Sequence, residues 1–167
     1  MLIPTQYQKT TQRPPHTIWT NPIHFITCGF GLGAFPWMPG TIGTLFAVPI
    51  TIMLSHTPIW FYILACVIMF LIGIYGCGKT NKDFGTSDHP AAVIDEIATF
   101  PIVMIGIPLT WYYLLIAFCL FRFFDIVKPW PIRWVDQHMH NGFGVMFDDL
   151  LAALISYAVL LTITFFA

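Results

Sequence analysis

Three pairs of ionisable residues stand at the edges of apolar stretches: Asp95 with Glu96, Arg122 with Asp125, and Asp148 with Asp149. Carboxylates gathered without Cys or several His select a hard cation, and magnesium is held through a few carboxylates together with phosphate oxygens of a substrate. Arg122, Lys128 and Lys79 fall in or beside the same layer. They are the positive complement of a phosphate monoester, and at a bilayer surface that points to a lipid phosphate. Arg122 and Asp125, three residues apart, share one face of a helix. Helix-end electrostatics explains one acid at each edge. It explains neither adjacent doublets nor a charged pair set among Phe121, Phe123 and Phe124, where ionisable groups in an apolar span mark a functional site.

Other residues leave two readings open. Gly40 and Thr41, in the run Pro39-Gly40-Thr41-Ile42-Gly43-Thr44, either aid helix packing or let backbone N–H groups approach a phosphate at a helix start. Gly29 and Gly33 have the spacing of a small-residue helix contact. His24, near the junction of leader and membrane, is either packed at the interface or part of the site. Lys79 serves as a phosphate ligand or as a positive anchor at the membrane edge. His138 and His140 read as solvated.

Several chemistries are excluded by inspection. The glycines lack the spacing of a nucleotide-binding phosphate loop. A cysteine phosphatase needs Arg six residues after Cys, and those positions hold Ala34, Ile72, Asp83 and Asp125. No histidine-nucleophile, phosphoaspartate or CDP-alcohol phosphotransferase signature is present. Seven Lys and Arg against eight Asp and Glu make no basic patch, so no nucleic-acid partner is expected. Cys28, Cys66, Cys77 and Cys119 have no metal or disulfide spacing.

The elements that must position these groups follow from the solvent they require. Of the 167 residues, 57% are hydrophobic and 9% charged, against about 25% charged in ordinary soluble domains. No charge falls between Pro14 and Gly78, between Ile97 and Phe121, or after Asp149. The fold expected is therefore all-α, a polytopic membrane helix bundle of about five segments. Residues 59–77, 109–127 and 150–167 are long enough to span. Residues 42–54, containing Pro49, and 93–108, containing Pro101, are short and either span or re-enter. Counting five spans puts every Lys and Arg on one side, cytoplasmic by the positive-inside rule, and all three ionisable pairs at that same depth. Trp19, Trp37, Trp111, Trp130 and Trp134 fall at segment edges, as an aromatic belt would. Residues 1–20 read as a polar leader rather than a cleaved signal peptide, and 21–167 as one membrane-embedded domain.

Four blocks, NPIHFITCGFGLGAFPWMPGTIGT, SDHPAAVIDE, FRFFDIVKPWPIRWVD and GFGVMFDDLLA, in this order from about Asn21 to Ala153, resemble the phosphatidylglycerophosphatase A family. The resemblance implies a phosphatase of the bacterial inner membrane that removes the terminal phosphate of phosphatidylglycerol phosphate. It also implies magnesium dependence and a site facing the cytoplasm. Asp95 and Glu96 match the family's acidic pair; Arg122, Asp125, Lys128 and Pro129 its central block; Asp148 and Asp149 its terminal pair. Gly40, Thr41 and Gly43 match its PGTxG segment, and Asp88 an acidic position ahead of the first pair. Thr99 and Ala153 stand where the family usually has Gly, and Thr44 where Ser is common.

The mechanism expected on this basis places Mg2+ on Asp95, Glu96, Asp149 and Asp125, and phosphate on Arg122 and Lys128. Asp125 or Asp148 then activates water or attacks phosphorus itself. The alternative is a small transporter whose carboxylates line a cation pathway; it would place its charges near mid-membrane and open to both faces.

Overall fold

The computed structural model describes residues 15–166, so the first fourteen residues of the expected leader lie outside the described residues. Every regular element in the described chain is helical: α1 (Pro22–Thr27), α2 (Pro39–Ser55), α3 (Ile59–Phe84), α4 (Ile94–Thr99), α5 (Trp111–Val127), α6 (Ile132–His138) and α7 (Gly142–Phe166), with 3-10 turns at His16–Trp19, Gly29–Ala34 and Phe100–Met104. Local chemistry sets several of these ends. Pro22 and Pro39 open α1 and α2, a position where the missing N–H has no partner to lose. Asn21 caps α1, its side-chain oxygen accepting from the Ile23 amide at 3.0 Å. Gly85 ends α3 at φ 68°, the left-handed geometry glycine adopts freely.

Among the described residues, two helices, α3 and α7, are long and apolar enough to cross a membrane. Their 26 and 25 residues extend about 39 and 37 Å at 1.5 Å per residue. The outward side of α3 exposes Ile63, Leu64, Val67, Ile68, Leu71 and Ile72, an apolar surface too large for a free-standing soluble domain. α2 and α5 have 17 residues each, about 25 Å; α2 contains the expected segment 42–54, and α5 begins two residues inside the expected segment 109–127. The expected segment 93–108 is not one helix. Pro101 has no amide to continue the ladder, and α4 gives way after six residues to the turn Phe100–Met104.

This broken segment lies inside the bundle. Ile94 and Ala98 pack with Cys77, Val145 and Met146, and Phe100 meets the ring of Phe121 at 5.8 Å. Further along, the Tyr62 hydroxyl, one turn into α3, donates to the Pro101 carbonyl at 2.7 Å. α3 and α7 touch backbone to backbone: a Cβ on Gly142 would lie 2.4 Å from the Gly78 nitrogen. Thr99 is fully buried, its hydroxyl satisfied by the Asp95 carbonyl at 2.6 Å. Ala153 sits in the core with Ala117 and Phe121.

Three local expectations are corrected. Gly29 and Gly33 do not form a helix contact. Gly29 and Gly31 have φ of 58° and 93°, which curls the chain, and a Cβ on Gly33 would fall 1.9 Å from the Ala91 carbonyl oxygen. Asp148 and Asp149 do not open a helix, because α7 starts six residues earlier at Gly142. Lys79, beyond the end of the expected span 59–77, is still on α3, which continues through Phe84.

Candidate active site

A cavity of about 370 Å³ is formed where the start of α2, the loop after α3, α4, the end of α5 and the second turn of α7 converge. Gly40, Thr41, Asp88, Asp95, Glu96, Arg122, Asp125, Lys128, Asp148 and Asp149 all line it. Their convergence depends on tight local packing. A Cβ on Gly40 would lie 2.0 Å from Glu96 Oε1 and 3.2 Å from Arg122 Nη1, so a side chain there would displace the Glu96 carboxylate. Gly144 is more tightly constrained, since a Cβ there would meet backbone, the Met139 carbonyl oxygen, at 2.0 Å. That contact sets the first turns of α7 against the end of α6.

Three carboxylates form the deepest part. Asp95, Glu96 and Asp149 each offer an oxygen within 4.8 Å of the others. Asp95 and Asp149 are buried, and the Glu96 side chain is only 12% exposed. Among the described residues, Asp95 Oδ1, Glu96 Oε2 and Asp149 Oδ2 have no hydrogen-bond partner. Burying three like charges is unfavourable unless a cation offsets them, and an all-oxygen donor set fits a hard divalent ion. By this test the residues suit Mg2+.

The protein's own cations are committed elsewhere. Arg122 Nη1 lies 2.6 Å from Asp125 Oδ2 and 3.5 Å from Glu96 Oε1, leaving its buried Nε unpaired. The expected i,i+3 pair is thus formed, and it ties Asp125 to the guanidinium rather than to the three-carboxylate group. Lys128 Nζ bridges Asp136, at 2.6 Å, and Asp148, whose other oxygen has no partner. Burial works to lower the Lys128 pKa, but the two carboxylates outweigh it and hold the ammonium above the ordinary lysine value. Lys128 is left-handed at φ 45°, a conformation uncommon for a residue with a side chain; it closes α5 immediately before Pro129.

Two expected site residues are elsewhere. His24 is buried, with Nε2 3.0 Å from Asp83 Oδ2 and its ring 4.8 Å from that of Phe84. Lys79 pairs with the same aspartate at 2.6 Å. Neither lines the cavity. Asp136, not singled out from the sequence, anchors Lys128; its only sequence signal is its place inside the Arg122–Asp136 block. His89 and Asn81 were also missed. Asn81 donates to the Ser87 carbonyl and accepts from the His89 amide, while His89 Nδ1 accepts from the Ala91 amide. Together they pin the loop that carries Asp88 into the cavity.

The chain was compared with known proteins. The family model described as Phosphatidylglycerophosphatase A matches residues 25–164. A phosphatidylglycerophosphatase A of Haemophilus influenzae is 44% identical over 87% of this chain and 90% of its own length. The Escherichia coli protein of the same name is 39% identical over 84% and 83%. A Bacteroides thetaiotaomicron protein, 36% identical over 81% and 89%, is named provisionally as a phosphatidylinositol-3-phosphatase. No solved structure gave a significant match. Matched by the family model along most of its length and by two relatives of that name, this chain belongs to the phosphatidylglycerophosphatase A family.

Proposed function

We propose that the chain hydrolyses the terminal phosphate of phosphatidylglycerol phosphate, giving phosphatidylglycerol and inorganic phosphate, with Mg2+ as cofactor. The observation that carries this reading is the buried trio Asp95, Glu96 and Asp149 with unpartnered oxygens beside the Arg122 guanidinium, in a chain of this family. These three carboxylates would hold the ion, which when bound neutralises charge developing on the phosphate oxygens. Arg122 and Lys128 hold the phosphate by charge-assisted hydrogen bonds. The free Asp148 oxygen accepts a proton from attacking water, the ester P–O bond breaks, and the leaving glycerol oxygen takes up a proton. Lys128 remains an ammonium and acts by charge, not as a base.

The setting proposed is the bacterial inner membrane, with the cavity toward the cytoplasm and the chain crossing several times. Support for passage of residues 94–110 comes from Tyr62: its bond to Pro101 puts the broken segment near the start of α3, while Asp95 lies beside Asp149 at the other end. The transporter alternative calls for charges open to both faces; the acids here share one cavity instead.

The test is phosphate release from phosphatidylglycerol phosphate by purified, detergent-solubilised protein, with Mg2+ and with chelator. Release that requires Mg2+ is expected. No release from folded protein in Mg2+ would overturn the assignment.

A further inference from the structure

The cavity has an apolar part that the hydrolytic chemistry does not use. Met38 and Ile126 line it alongside the charged groups, yet they are 65% and 62% exposed. They come from different elements, Met38 just before α2 and Ile126 near the end of α5. Each continues outward into exposed apolar side chains, Phe35 and Trp37 on one side, Phe123 and Val127 on the other. Ile126 is four residues after Arg122, so the two share a helix face. A guanidinium suited to phosphate and an aliphatic side chain suited to hydrocarbon are therefore presented side by side. Met38 is left-handed at φ 51°, ψ 54°, with no side-chain cap bond. Non-glycine residues held in this region cluster where function requires them.

We propose that Met38 and Ile126 form a lateral apolar portal at the cavity mouth. The acyl-bearing glycerol of a phospholipid phosphomonoester leaves the site through it while the phosphate rests at Arg122. This rests on the phosphatase reading above and adds where the lipid body sits. An amphiphile is the occupant that matches both halves of the surface, because its charged and apolar ends are covalently joined across the boundary that separates Arg122 from Ile126. The polar substrate end never has to cross hydrocarbon, and the chains never have to enter water.

The experiment uses full-length protein in mixed micelles with Mg2+. KM is measured for phosphatidylglycerol phosphate as a mole fraction, and Ki for inorganic phosphate, a ligand of the charged half alone. The variants are Met38→Asn, whose side chain tolerates the left-handed backbone, and Ile126→Gln. Both positions are exposed, so folding does not depend on them. KM for the lipid is expected to rise at least about tenfold in the pair combined, as lost burial of two apolar side chains predicts, with phosphate Ki unchanged. Unchanged KM, or KM and Ki rising together, overturns the portal. Wild-type protein that releases no phosphate from the lipid, while binding phosphate normally, overturns the functional reading and the portal with it.

Discussion

Two clusters of ionisable side chains in this protein use the same residue types to opposite effect. In one, Asp83 receives both His24 and Lys79, so the acid is matched on both oxygens. In the other, Asp95, Glu96 and Asp149 share one cavity, and each keeps an oxygen without a partner. The first cluster is closed by the protein's own groups and ties α1 to the end of α3. The second is open, although two cations stand at its edge: Arg122 reaches Glu96 only at 3.5 Å while pairing with Asp125 at 2.6 Å, and Lys128 pairs with Asp136 and Asp148. The difference separates structure from function better than residue type does. A fold stabilised by its charges pairs them, whereas a site that must take up a cation and a phosphate leaves them unbalanced.

The largest effect expected comes from making one change in both clusters. Asp149→Asn should lower phosphatase turnover by more than about 100-fold, since even residues that only support metal ligands cost 10- to 100-fold when removed. In chelator the same variant should melt higher than wild type, because one uncompensated buried charge is gone. Asp83→Asn should do the reverse, keeping near wild-type turnover while melting lower. Phosphate release and thermal melts of the two variants decide it. Equal losses of activity would erase the distinction between the clusters.

A smaller effect tests whether Arg122 belongs to the open cluster through its shape or only through its charge. Lysine at 122 keeps the charge but loses the planar fork. Loss of one charge-assisted bond, about 1.5–3 kcal/mol, corresponds to roughly 10- to 100-fold in kcat/KM. Turnover equal to wild type in Arg122→Lys would mean that this residue acts by its charge alone, and that the planar fork adds nothing.

How much of this contrast was legible in the sequence depended on range. The Arg122–Asp125 pair was readable because three residues on a helix are neighbours. The depth shared by Asp95, Glu96 and Asp149 followed from charge falling only at the edges of apolar runs. The closed cluster was not readable: His24 and Asp83 are 59 residues apart, and no local pattern joins them, so the two readings open for His24 and for Lys79 could not be decided from sequence. The position of Asp149 was misread for a different reason. Hydropathy marks where a helix becomes apolar, not where it begins, and α7 starts at Gly142 because Asn141 caps it, its side-chain oxygen accepting from the Gly144 amide at 2.8 Å. Pro101 signalled a break, but only the packing of Phe100 and Tyr62 shows that the broken piece is core.

The smallest effect expected concerns His89, which stands between the clusters: its ring packs on Phe84 at 4.8 Å, as does that of His24 from the closed side, while its loop leads to Asp88 and Asp95. Burial lowers its pKa below the ordinary value of 6.5, and its Nδ1 must be unprotonated to accept the Ala91 amide. The folded state therefore resists a proton that the unfolded chain accepts. Stability from this group is complete above about pH 6.5 and is lost as pH falls through the lower, folded value. In wild type the melting temperature should decline as pH falls from about 6.5 toward the folded value, by at most about 3–5 °C per pH unit from this residue. In His89→Asn, where a carboxamide oxygen stands near Nδ1 and does not titrate, that increment should vanish. Identical slopes in the two proteins would mean that the Ala91 contact is dispensable. The loop would then be held by Asn81, and the closed side of the molecule would have no hand in aiming the open one.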